Sequence, residues 1–174
     1  MCKLRNESAI DGLIWQAIDL YPVDKLEQFV LDPDSRVREA AARRLQLHGG
    51  AAAFSLAFKL VESNDCVVRG VGVFILGQLD APRNSFSGDS LPILLKMLKK
   101  EKSSKVRREV IISLGHLRDD SVLPELLRFL HSKDKNTRAA LAASLSFFGN
   151  NSIAKKALKR LRKDESSSVR YWAA

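Results

Sequence analysis

The chain has 174 residues, of which 45% are hydrophobic and 28% charged, and its formal net charge is +9. That length and balance suit a folded protein with a sizeable core and exclude a disordered chain. Glu7, Asp11 and Asp19 interrupt the first twenty residues and no apolar run nears the roughly 18 residues of a membrane helix, so neither a secretory leader nor a membrane span is read and the expected compartment is the cytoplasm.

Residues 8–20 (SAIDGLIWQAIDL) place Ile10, Leu13, Ile14, Ala17 and Ile18 on one face. With Ser8 and Asp11 as a capping box, they predict an N-terminal helix that ends at Tyr21-Pro22. Two kinds of helix then alternate. The A set is predicted at 24–31, 51–62, 90–100, 121–131 and 152–163. Two of these open on Ser90-Leu91-Pro92 and Ser121-Val122-Leu123-Pro124, a Ser cap ahead of a first-turn Pro. The B set is predicted to start at five residues suited to capping: Asp34, Asp65, Ser103, Asp134 and Ser166. Four residues after each cap stands an arginine: Arg38, Arg69, Arg107, Arg138 and Arg170, separated by 31, 38, 31 and 32 residues. A period near 30 marks a solenoid.

Apolar and small residues recur in the B set at helical spacing: Val37, Ala41, Leu45; Val68, Gly72, Leu76; Val106, Val110, Leu114; and Thr137, Leu141, Leu145. They are the predicted core columns, and the small residues in the middle one permit close helix approach. No segment alternates with the period of a half-buried strand. Seven extra residues between the second and third copies fall in the Pro/Gly/Ser-rich loop 80–89, a hinge or a contact point. One domain spanning 1–174 is therefore expected, with repeats at about 24–49, 50–80, 88–118, 120–149 and 150–174 and the N-terminal helix at 8–20.

The pattern [DS]-x-x-[VT]-R, carried by those caps and arginines, resembles the HEAT repeat, in particular the short HEAT-like repeats also found in phycobilisome lyases. The resemblance covers about residues 24–174. It implies an all-α, right-handed superhelical solenoid of about five helix pairs, with A helices convex and B helices concave, and no specific chemistry. The last copy breaks off eight residues past Ser166, so Trp172 and Ala173 are expected near an unfinished edge, which either continues in a longer chain or meets a partner.

Catalytic parts are missing from the sequence. Some HEAT-like enzymes bind iron through His-Glu pairs, but Gly49, Leu117 and Ser132 follow the three histidines here, so no metal and no cofactor is expected. His48 and His116 are read as helix-end residues whose imidazoles the dipole keeps partly charged. Cys66 is read as an ordinary first-turn cysteine, and Gly77 and Gly115 as packing positions. Cys2 and Cys66 stand 64 positions apart, too isolated for a disulfide framework.

The five in-register arginines are expected to form a structural ladder, each guanidinium bonding a carboxylate or carbonyl of the adjoining repeat. Partner-binding residues are sought instead on B-helix positions outside the core columns: Arg36, Arg43, Phe74, Lys105, Arg108, Ile112 and Tyr171. Five such helices at 8–10 Å spacing would line a trough on the order of 35–40 Å long. Phe74 and Ile112 would be its apolar anchors, with Lys105 and Arg108 steering acidic groups; in the alternative, both apolar residues only fill space between the A and B helices.

Charge is unevenly placed. Residues 1–87 carry 10 Lys+Arg against 11 Asp+Glu, a net of −1, and residues 88–174 carry 19 against 9, a net of +10. The leading expectation is a non-catalytic scaffold or adaptor that binds an acidic or amphipathic segment of a partner protein on the concave face. The competing one is nucleic-acid binding through the basic second half. Because most of those lysines fall on A helices and stacking aromatics are few, the protein partner is favoured. No partner is named by the sequence, and small proteins of this type serve as adaptors, regulators and toxin-neutralising proteins.

Overall fold

In the computed structural model the described residues are 2–174, with side chains from residue 9 onward, and all regular structure among them is helical. The helices are α1 (Cys2–Asp19), α2 (Ser35–His48), α3 (Gly50–Val61), α4 (Cys66–Gly77), α5 (Ser87–Lys100), α6 (Ser104–Leu117), α7 (Leu123–Leu127), α8 (Lys135–Ser146), α9 (Ser152–Leu161) and α10 (Ser167–Trp172). Two 3-10 helices, Val23–Leu31 and Asp120–Val122, complete the A set. Helices α2, α4, α6, α8 and α10 are the B set.

Each B helix opens at the turn the sequence marks. Asp34, Asp65 and Asp134 accept hydrogen bonds from Arg36, Val67, and both Asn136 and Thr137 backbone N–H groups, and Ser103 accepts a long one of 3.5 Å from Val106. These bonds satisfy first-turn donors that have no intrahelical partner. Ser166 differs: it occupies the cap position of α10 but its hydroxyl pairs with that of Ser168 at 2.9 Å and makes no cap bond.

A second layer of bonding holds the same turns. Two residues before each cap, the side chains of Asp32, Ser63, Glu101, Ser132 and Asp164 accept from the backbone N–H of Asp34, Asp65, Ser103, Asp134 and Ser166. The five repeated arginines then return to this turn. Arg38, Arg69, Arg107, Arg138 and Arg170 all donate from Nη1 to the carbonyl six residues back, and all but Arg107 also to the carbonyl five back. The guanidinium thus supplies donors to carbonyls at a tight corner that no helix or strand would satisfy.

The expected ladder between repeats is therefore, in its common part, a staple within each repeat. Arg138 does cross: its Nε and Nη2 bond both Asp164 carboxylate oxygens at 2.7 and 2.9 Å, and Nη2 reaches Glu165 at 3.0 Å. Asp164 of the next repeat's turn presents both of its oxygens to the guanidinium, which makes the crossing bidentate, and Glu165 adds a third bond.

The A set departs further from expectation. The segment predicted as a helix over 24–31 is 3-10, with i→i−3 bonds from Lys25 to Pro22 and from Asp32 to Phe29 at its edges. Helix α5 starts at Ser87, so Ser90 lies inside it, fully buried with no bond to its hydroxyl, and Pro92 is interior rather than first-turn. The segment predicted at 121–131 begins as a 3-10 turn capped by Asp119, not Ser121. Its α-helical part ends at Leu127 and passes into i→i−3 turns. Pro124 lies in the first turn of that short helix, where its missing N–H costs no intrahelical bond. Likewise α1 starts six residues before Ser8, so the predicted capping box is not its start; the Ser8 side chain lies outside the described residues.

The chain divides into two compact units, Met1–Phe86 and Ser87–Ala174, where the sequence suggests one domain, and the division falls inside the 80–89 loop. In the first unit α1 packs on α2, α2 on α4, and α3 on α4. All three predicted core columns of α2 and α4 are buried or half-buried. Gly72 permits a tight crossing, since a Cβ there would lie 2.8–2.9 Å from Val61, Ala57 and Leu60 atoms. The buried Gln46 donates its side-chain amide to the Phe74 main-chain carbonyl, and its own main-chain carbonyl accepts from Asp80 N–H at 2.7 Å. The Asp80 carboxylate, held below its usual range by Ser85 and then Arg83, organises the loop that follows.

Only part of the apolar face predicted for α1 is covered. Ile18 is buried and Ile14 half-buried, whereas Ile10, Leu13 and Ala17 are exposed, because packing on α2 buries one row of side chains rather than a wide stripe.

In the second unit α6 packs on α5 and α8, and α8 on α9 and α10. A Cβ at Gly115 of α6 would sit 2.5–2.8 Å from the Ser144 hydroxyl, Cα and carbonyl oxygen of α8, the close approach its sequence position suggests. Ala173 is fully buried rather than lying at an open edge, and its carbonyl accepts from Arg162 Nε at 2.6 Å.

Candidate protein-docking groove

Three successive B helices of the second unit enclose a groove of about 560 Å³. Helix α6 contributes Lys105, Arg108, Glu109, Ile112 and His116, α8 contributes Asn136, Ala139, Ala140, Ala143 and Ser146, and Ser168 and Trp172 of α10 together with Phe147 complete the lining. Residues 105, 108, 109, 112 and 116 recur at three- and four-residue steps, so one face of α6 supplies them all. Small residues on α8 make the floor low, and Ile112, Phe147 and Trp172 stand as apolar walls around it.

The polar members differ in what they are free to do. Lys105 is exposed and its side chain has no partner among the described residues. Arg108, expected to steer a partner, instead donates from Nη1 to Asp134 at 3.3 Å, tying α6 to the cap of α8. The Asp134 carboxyl lies below its usual range, chiefly through the Thr137 hydroxyl, with Arg108 adding to the effect. The His116 ring lies 4.2 Å from that of Phe147, tilted by 45°, and burial followed by the nearby Arg118 guanidinium lowers its pKa. The dipole-charged imidazole read from its position is thus overruled: desolvation and a like charge outweigh the helix end.

In the first unit the sequence-selected residues form a different arrangement. Arg36 folds back on its own cap, with Nη2 at 2.6 Å from Asp34, whose pKa is brought down to about 2 mainly by that hydrogen bond. Arg43 lies between the rings of Trp15, at 5.8 Å, and Phe74, at 5.7 Å, and bonds Glu39 one turn away. This Trp-Arg-Phe stack brings Arg43 and Phe74 together and adds Trp15, which the sequence reading did not select. Tyr171 is 74% exposed and sits edge-on to Trp172, outside the groove lining.

Of the seven selected residues, the groove therefore unites Lys105, Arg108 and Ile112. It adds Trp172, Phe147, His116 and Glu109. The last two follow from extending the α6 face by one helical step, whereas Phe147 lies past the end of α8 and carries no periodic signal. Among the described residues no group of His, Cys, Asp and Glu is placed to hold a metal, and no helix is long and apolar enough to cross a membrane.

A family model described as HEAT repeats matches residues 56–124 and 91–174. The chain is 30% identical over 157 residues to Protein YibA of Escherichia coli strain K12 and, equally, to Protein YibA of Escherichia coli O157:H7, covering 87% of this chain and 55% of theirs. It thus spans about half the length of the curated relatives it matches. The X-ray structure of Escherichia coli YibA superposes with a TM-score of 0.74 at 30% identity, over 93% of this chain and 59% of that one.

Proposed function

The chain belongs to the HEAT-repeat family, and from that premise we propose that it is a non-catalytic scaffold or adaptor whose second unit docks an acidic, amphipathic segment of a partner protein in the B-helix groove. The observation that carries the reading is the groove's composition. Half-buried Ile112 and Phe147 and the exposed Trp172 offer apolar contact around a floor of alanines, and Lys105, without a partner among the described residues, is exposed beside them. Aromatic anchors in such a pocket supply most of the binding energy of a protein interface, and a rim cation acts on encounter rate and register. Arg108, by contrast, acts through the scaffold by fixing α6 against α8.

The experiment is capture of a partner from the native source by the intact chain, compared with an I112A/W172A variant whose thermal midpoint shows it folded. Capture should fall at least tenfold in the variant, the loss of about 1.4 kcal/mol or more expected for truncated anchors. Undiminished capture by the folded variant refutes the groove as the site. Capture lost by a folded R43A/F74A variant but retained by I112A/W172A would move the site to the first unit's Trp-Arg-Phe stack.

A further inference from the structure

Residues 152–163, which are α9 and the turn after it, carry Lys155, Lys156, Lys159, Arg160, Arg162 and Lys163 and no carboxylate. The apolar side of α9, Ala154, Ala157, Leu158 and Leu161, is buried in the second unit, and all six cations are exposed. Arg160 lies 3.2 Å from His131 Nδ1, and Arg162 is engaged by Ala173. The four lysine side chains have no hydrogen bond or ion pair among the described residues. Exposed Lys100, Lys102 and Lys133 lie at the corresponding ends of the preceding A segments.

Helix electrostatics work against this sequence. Lys155 and Lys159, and Lys156 and Arg160, are like-charged i,i+4 pairs of α9, each unfavourable, and Lys163 follows in the turn after the helix. Lys155 falls in the first turn of α9, beside the positive end of the helix dipole, where a cation is disfavoured. The dipole accounts for cations in the last turn only, so the full set is an uncompensated field directed outward.

We infer that the outer face of α9 is a second binding surface, separate from the B-helix groove, and that it takes the phosphate backbone of a nucleic acid. Lys155 and Lys159 stand one turn apart on the helix, about 6 Å along its axis, and Lys163 continues the strip in the turn that follows. Each is a compact point charge suited to a phosphate oxygen. A protein partner fits this face less well, since lysine is depleted in protein interfaces and the strip offers no aromatic anchor. A membrane surface also fits less well: the apolar side that an interfacial helix would insert is already buried in the repeat. The inference stands on α9 alone and does not depend on what fills the groove.

The test is fluorescence anisotropy of a short labelled DNA duplex of arbitrary sequence, titrated with the intact chain at increasing salt, with phosphatidylserine vesicles and poly-glutamate as parallel probes. Wild-type chain should bind the duplex with an affinity that falls steeply with salt and should prefer it to both other anions. Substituting K155Q/K159Q/K163Q should lower the log–log salt slope by roughly 2.7, so that about 40-fold less affinity is lost between about 50 and 200 mM salt. Removing like-charge pairs should leave its thermal midpoint unchanged or raised, and if that variant fails to fold, K159Q alone should lower the slope by about 0.9. The I112A/W172A groove variant should bind the duplex like wild type. The inference is overturned by absence of duplex binding at low salt, by an unchanged slope in the folded lysine variants, or by preference for vesicles or poly-glutamate over the duplex.

Discussion

Replacing Gly115 by alanine tests the closest helix approach in the second unit. The new Cβ would meet the Ser144 Cα at 2.7 Å and its carbonyl oxygen at 2.8 Å, with the hydroxyl at 2.5 Å, whereas carbon atoms pack best at about 3.5–4.0 Å. Two of those three atoms are backbone, so relief requires α8 to shift against α6 by most of an ångström. Overpacking of this kind costs about 1–3 kcal/mol, and the better helix propensity of alanine returns about 0.5–1 kcal/mol. The net loss is about 1–2 kcal/mol, or about 3–6 °C in Tm for a chain of this size. Gly70 is the control: it lies inside α4 with nothing within 4 Å of its would-be Cβ, so G70A should raise stability by about 0.5–1 kcal/mol. Urea unfolding followed by far-UV circular dichroism measures both. Opposite signs are expected, and S144A should not rescue G115A because the backbone contacts remain. A neutral or stabilising G115A, or full rescue by S144A, would refute the close α6–α8 approach.

Arg138, only 8% exposed and bonded to an equally enclosed Asp164, should cost about 3 kcal/mol on R138A because a carboxylate and a turn carbonyl lose their donors; R138K should recover little of it, since an ammonium cannot make the bidentate bond. The same pair sets an acid limit. Asp164 is held below 3.8, first by its hydrogen bond to Arg138, so its stabilisation is complete above about 3.8 and is lost as pH falls through the folded value; D164N should flatten that part of a stability–pH profile. His116 titrates below 6.5, through burial and then Arg118, so the folded state is disfavoured as pH falls from 6.5 toward the folded value. An NMR titration should show R118A moving it partway back up. Among the caps, D134A should cost about 1 kcal/mol in urea unfolding and S166A almost nothing, because Asp134 accepts first-turn N–H bonds and Ser166 accepts none.

The sequence by itself determined the repeat: the caps, the arginines four residues later and the apolar columns are local, and a helix start is settled within a few residues of backbone. The same locality explains why the Arg38, Arg69, Arg107 and Arg170 staples close within their own turns. Spacing alone could not show that, because an outward guanidinium and one folded back six residues occupy the same helical position. Tertiary structure decided whatever depends on where successive helices lie. Arg108 became a link to Asp134, Arg138 crossed to Asp164, and Phe147 and Trp172 converged on Ile112. Burial lowered His116 against the prompting of its helix end, and the segment after Asp119 broke into a 3-10 turn and a five-residue helix where periodicity suggested a continuous one. Each is set by distances between repeats and by desolvation, neither of which is written in the periodicity of one chain segment.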